Sequence, residues 1–339
     1  MSSRFLVAVV ALVFAAFTAL AEDKKPLTVG SFERKDPKFD ELIPKDAMIE
    51  VLAGGLKWSE GPVWVKNGGH LLFSDIPNNM VYKWSAKDGL KEFLKPSGYT
   101  GKEPFAGTEP GSNGLALDKD GKLILCQHGD RRISRLADDN KSFVTIVDKY
   151  LGKRLNSPND LVYAKSGDLY FTDPPYGLPK RMEDPAKELA FQGVYRLTAK
   201  GELTLLTKDM TRPNGIGLSP DEKTLYVANS DPDLAIWKAF PINTDGTLGE
   251  GKLIHDSTPD VKAKKPGLPD GLKVDAKGNI FATGPNGVFV FSSEGKHLGT
   301  IVTADRTANC AFGDDGTTLY ITANDKLVRV KTTTKGLGF

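Results

Sequence analysis

A repeated hairpin limits the architectures open to this chain more than any other feature of its 339 residues. Six segments line up: "SEGPVWVKNGGHLLFSD" from Ser59, "SNGLALDKDGKLILCQ" from Ser112, "PNDLVYAKSGDLYFTD" from Pro158, "PNGIGLSPDEKTLYVAN" from Pro213, "PDGLKVDAKGNIFATG" from Pro269 and "ANCAFGDDGTTLYITA" from Ala308. In each, a polar residue opens a short strand of alternating apolar side chains. A turn built on Asp, Lys or Ser follows, and then a strand rich in β-branched and aromatic residues. Lys119-Asp120-Gly121, Lys165-Ser166-Gly167 and Ala276-Lys277-Gly278 place glycine where a hairpin needs positive φ. The polar residues Glu60, Asn113, Asn159, Asn214, Asp270 and Asn309 are spaced by 53, 46, 55, 56 and 39 positions. A period of about 50 residues is the length of a four-stranded propeller blade. No segment holds a 3.6-residue period for more than two or three turns, so helical architectures are excluded.

The expected fold is therefore all-β: a six-bladed β-propeller of four-stranded antiparallel blades spanning residues 46–335. The sixth repeat runs short of strands after "KLVRVKT", while "AMIEVLAGG" at 47–55 precedes the first repeat without a partner. That N-terminal strand is expected to complete the last blade, closing the ring and covering its edges.

Ahead of the propeller, Arg4 leads an apolar run from Phe5 to about Leu20, and Ala19-Leu20-Ala21 has the form of a signal-peptidase site. Residues 1–21 read as a signal peptide and 22–45 as a charged, proline-containing N-terminal arm. The expectation is a periplasmic or secreted bacterial protein with no membrane association after cleavage. With a net charge of +2 and no basic run, nothing points to nucleic acid. The two cysteines, Cys126 and Cys310, lie in apolar strand-like runs and are expected to be buried and unpaired.

In a propeller the first strand of each blade lines the central channel, and these strands run in one direction. Their opening residues should form a ring at one mouth: one Glu, one Asp and four Asn. The ring offers only oxygen donors, suited to a hard cation, and Glu60 and Asp270 together balance one divalent charge. Taken singly, each such Asn or Asp is as well explained as a turn cap. It is the repeated placement that favours a site. No G-x-S-x-G elbow, H-E-x-x-H helix or glycine-rich phosphate loop is present.

"WSEGPVW" at 58–64, "SPND" at 157–160, "FTDPPYG" at 171–177, "RPNGIGLSPD" at 212–221 and "LPDGLKVD" at 268–275 resemble the gluconolactonase / senescence-marker-protein / luciferin-regenerating-enzyme family, and in particular its exported bacterial gluconolactonase-type members. The resemblance spans roughly residues 35–330. It implies one divalent metal at the channel mouth, calcium first and magnesium, manganese or zinc as alternatives, held by Glu60, Asn159, Asn214 and Asp270. It further implies hydrolysis of a small sugar lactone, by water attack on a carbonyl that the metal polarises, with Asp270 as candidate general base and a metal-bound hydroxide as the competing nucleophile. Asn113 and Asn309 are left over in the ring as candidate substrate contacts. His128, Asp173, Tyr176 and Arg212 are candidates from the loops near the mouth, and Asn229 and Ser230, at the end of a second strand, are further ones. A phosphotriester or other ester hydrolase, or a non-catalytic calcium- or ligand-binding propeller, would use the same site.

Overall fold

The computed structural model describes residues 25–339, so the expected signal peptide lies outside the described residues. Six antiparallel sheets of four or five strands follow one another along the chain, with a two-stranded ribbon, Lys149–Tyr150 and Lys153–Arg154, beside them. Their innermost strands are Ser59–Val65, Ser112–Leu117, Leu161–Tyr163, Pro213–Leu218, Leu272–Val274 and Thr307–Gly313, in blades 1 to 6. The only α-helix among the described residues is the short Thr258–Lys262, and none is long and apolar enough to cross a membrane.

The ring closes as expected. Strand Glu50–Ala53 pairs antiparallel with Lys326–Lys331 of blade 6, with Val51 opposite Val328 and Glu50 opposite Arg329. A salt bridge of 2.7 Å between Arg329 and Glu50 marks the same register. The preceding segment adds a strand that its sequence does not announce: Ser31–Arg34 pairs with His297–Val302 as a fifth strand of blade 5. "SFER" has one apolar residue and no alternation. Its placement comes from the open edge it covers and from Phe39 and Ile43 just beyond it, which pack into the core between blades 5 and 6.

Neighbouring blades are joined by apolar faces. Trp64 of blade 1 stacks on Tyr320 of blade 6 at 5.3 Å, Trp237 of blade 4 meets Phe289 of blade 5 at 5.1 Å, and Phe281 of blade 5 meets Phe312 of blade 6 edge-on at 5.1 Å. Cys126 and Cys310 are buried and free within such layers.

At the channel mouth the innermost strands approach so closely that the residue after the ring position must usually be glycine. A Cβ on Gly61 would stand 2.0 Å from the carbonyl oxygen of Asn113, and one on Gly215 would stand 2.0 Å from that of Asp270. At three junctions a hydroxyl also ties the start of an innermost strand to the blade before it. Ser74 Oγ donates to the Asn113 carbonyl (2.8 Å), Thr172 Oγ1 to that of Asn214 (2.7 Å) and Thr283 Oγ1 to that of Ala308, next to Asn309 (2.8 Å). These hydroxyls sit in the second strands "FSD", "FTD" and "FATG", so the repeat carries its own positioning device.

Candidate active site

The strand starts converge on a cavity of about 560 Å³ at one mouth of the channel, lined in part by Glu60, Asn113, Asn159, Asn214 and Asp270. Glu60, Asn113, Asn159 and Asn214 are nearly inaccessible, at 1, 3, 2 and 4% exposure, so their side chains see the cavity and little bulk water. The Gly61 N–H donates to Glu60 Oε2 (2.6 Å), and Asn214 Nδ2 donates to Ser230 Oγ (2.7 Å), which turns the Asn214 carbonyl away from the serine. The Oδ1 atoms of Asn113, Asn159, Asn214 and Asp270 are all buried without a hydrogen-bond partner. Buried acceptors are almost always satisfied, and four of them around one cavity demand a donor or a cation.

The electrostatics point the same way. The Glu60 and Asp270 carboxyl groups lie within hydrogen-bonding reach of each other. Burial, and then the charge of Asp160, push the Glu60 carboxyl above its usual range; burial, and then Glu60 and Asp160, do the same to Asp270. Two carboxylates facing each other with little water are stable only when protonated or offset by positive charge. Among the described residues no cluster of three or more His, Cys, Asp or Glu side chains gathers as a metal site. The oxygen set here is instead two carboxylates and amide carbonyls, a mixture suited to a hard divalent cation.

Beneath this floor lies a second polar layer. Asp160 accepts from the Leu161 N–H (2.9 Å) and from Asn309 Nδ2 (3.3 Å). Asn309 Oδ1 in turn accepts from the Cys310 N–H (2.9 Å) and from Lys273 Nζ (3.4 Å). Lys273 belongs to the wall of a second, largely apolar cavity at the opposite end of the channel. Its positive charge works against the burial that raises the Asp160 carboxyl. The carboxylate that "PND" carries where four of the other five repeats have glycine therefore has its own countercharge.

Of the loop candidates, Tyr176 is on the cavity wall, its hydroxyl 3.4 Å from the Ser230 carbonyl oxygen, and Ser230 is there too. His128, Asp173, Arg212 and Asn309 are not among the residues that line the cavity. His128 is wholly buried behind the wall, its Nδ1 3.3 Å from Glu109 Oε2. Asp173 is a latch: its carboxylate accepts from the Asn156 and Ser157 N–H groups, each at 2.8 Å, and holds the chain that enters blade 3. Asp75 does the same in blade 1 for Lys57 and Trp58, and Asn229 in blade 4 for the N–H of Arg212 (2.7 Å). Arg212 is thus held as part of an entry turn, and Asn309 belongs to the layer below. Sequence reasoning missed Lys57, Trp58, Glu109, Arg181 and Arg306, all of which line the cavity. They lie in the segments between repeat units, where no periodicity marks them; only Trp58, two residues before Glu60 in "WSEGP", had a signal.

Comparison with known proteins fits this picture. Residues 58–325 match the SMP-30/Gluconolactonase/LRE-like region. A gluconolactonase of Zymomonas mobilis is 43% identical over 315 residues, covering 91% of this chain and 88% of that protein. The structure of a gluconolactonase from Xanthomonas campestris superposes with a TM-score of 0.76 at 32% identity, covering 91% of this chain and 96% of that one. A calcium-binding regucalcin from Agrobacterium tumefaciens shares the fold at a TM-score of 0.63 and 19% identity, over 85% of this chain and 94% of its own.

Proposed function

Because this chain belongs to the SMP-30/gluconolactonase/LRE-like family, we infer that it is a lactone hydrolase and that its channel mouth opens a sugar lactone by water attack with the help of a divalent cation. The observation that carries the site assignment is the set of buried, unpartnered oxygens of Asn159, Asn214 and Asp270 beside the Glu60 carboxylate. These four side chains would hold the cation, and calcium is the first choice for an oxygen-only set. When bound, the ion supplies Lewis acidity toward a carbonyl oxygen and offsets the buried negative charge.

The chain's own residues do the rest. Asp270 accepts the proton of the attacking water. Its burial, with Glu60 and Asp160 close by, raises its proton affinity, and the cation, when bound, would offset part of that rise. Glu60 faces it across the floor, and the Gly61 N–H fixes one of its oxygens. Ser230 holds the Asn214 amide so that its carbonyl points into the cavity. Asn113, with a free buried Oδ1, is placed to accept from a substrate hydroxyl, and Tyr176 shapes the rim. The apolar run and small-residue site before residue 22 support export to the periplasm or medium, which cell fractionation would test.

The deciding experiment is hydrolysis of glucono-1,5-lactone after chelation, and again after adding back calcium, magnesium, manganese or zinc. Turnover should vanish on chelation and return with the ion. Asp270→Asn should lower kcat by about 10²- to 10⁴-fold, the range for a general base. Full turnover by Asp270→Asn would remove Asp270 from the mechanism.

A further inference from the structure

We propose that Glu109 selects polyhydroxylated lactones over plain aliphatic ones by accepting hydrogen bonds from the hydroxyl groups of the ring. The inference rests on the lactonase reading and extends it to a residue outside the repeat.

Glu109 lies in the long loop between the last strand of blade 1, Gly89–Leu94, and the first of blade 2. It lines the cavity and keeps 19% of its side chain exposed. The backbone just after it is pinned to blade 2: the carbonyl of Pro110 accepts from the Gly129 N–H (3.3 Å) and that of Gly111 from the His128 N–H (3.1 Å). The carboxylate is thus presented from a fixed stretch of loop.

Its two side-chain neighbours leave most of its accepting capacity free. On the buried side His128 Nδ1 is 3.3 Å from Oε2, and neither ring nitrogen of His128 has a hydrogen-bond partner. On the solvent side an Arg181 guanidinium nitrogen is 3.4 Å from Oε1, but that arginine is 57% exposed. An exposed pair at this distance contributes little. An ionised carboxylate has about four acceptor directions and no donor of its own. Those of Glu109 that face the cavity call for O–H or N–H donors, which a sugar lactone carries and an unsubstituted lactone lacks. Asn113, Asn159 and Asn214 also face the cavity, but the latter two are committed to the cation in this scheme. Glu109 is the cavity carboxylate that remains for the substrate. His128 serves as a positioning residue, filling the space behind Oε2.

The test is kcat/KM for glucono-1,5-lactone and for δ-valerolactone, which lacks hydroxyls, with wild type, Glu109→Gln and Glu109→Leu. The side chain is at the rim, so both variants should fold. For the sugar lactone, kcat/KM should fall about tenfold in Glu109→Gln and further in Glu109→Leu, mainly through KM, the scale of a lost charge-assisted hydrogen bond. For δ-valerolactone it should stay within about twofold. Equal losses on both substrates, or no loss on the sugar lactone, overturn the proposal. Calorimetric binding of glucono-1,5-lactam, an uncharged amide isostere, reads the same contacts without turnover and should weaken in step. If wild type opens neither lactone, the lactonase reading fails. The lactam titration then still decides whether Glu109 holds polyol hydroxyls: unchanged affinity in both variants overturns that role, and weakened affinity supports it.

Discussion

Replacing Glu60 by Gln should make the protein more stable without the cation and less stable with it. Glu60, Asp270 and Asp160 crowd one end of the channel, and the first two are within hydrogen-bonding reach. Two like charges about 4 Å apart repel by about 4 kcal/mol at an effective dielectric constant of about 20. Proton uptake by the pair relieves part of this, so the gain from neutralising Glu60 at pH 8 is about 2 kcal/mol. Gln keeps an oxygen for the Gly61 N–H, so no backbone donor is orphaned. In EDTA the variant should therefore melt about 4–8 °C above wild type, given a shift of about 2–4 °C per kcal/mol in chains of this order of size. Saturating calcium should reverse the order. Wild type at 100-fold excess over Kd gains about 2.7 kcal/mol, while the variant has lost both a ligand and a charge. Paired thermal melts in EDTA and in calcium measure both effects. A variant that melts below wild type in EDTA would show that the carboxylates are not in repulsion and would refute the reasoning.

Three further outcomes follow from particular contacts. Asp173→Asn leaves one of the Asn156 and Ser157 N–H groups facing an amide nitrogen, so urea unfolding should show a loss of about 1–3 kcal/mol, with KM for the lactone unchanged because Asp173 does not line the cavity. Burial, aided by Lys35 and His255, pushes the pKa of His297 from 6.5 down to about 4, so the folded state keeps the ring neutral while the unfolded chain protonates it. The stability this contributes is complete above pH 6.5 and is lost as pH falls toward 4; it is about 1–2 kcal/mol once partial exposure is discounted. His297→Gln should lose correspondingly less between pH 7 and pH 4.5 in urea melts. Lys273→Met removes a cation from the channel below the site, and calcium should then bind about threefold to tenfold more tightly by calorimetry.

The sequence by itself determined the blade count, the closing strand and the ring of polar residues. Each rests on local, repeated chemistry: alternating apolar positions, turn glycines, and a polar residue at a fixed place in the register. A repeat converts one ambiguous Asn into six equivalent positions, and propeller geometry then brings Glu60, Asn159, Asn214 and Asp270 to one mouth although they are far apart in the chain. Tertiary structure alone decided what occupies the space around that ring. Asp173 looked like a pocket residue because it ends a strand near the mouth, yet backbone donors from its own blade capture it. Asn309 shares the ring position, but its amide bonds Asp160 and Lys273, and it packs over Gly271, where a Cβ would stand 2.0 Å from it. Glu109, Arg181 and Arg306 lie outside the repeated hairpins, so no periodicity marks their convergence on the cavity. The same holds for Ser31–Arg34, a strand that exists because blade 5 offers an edge to pair with, and not because its four residues prefer to be one.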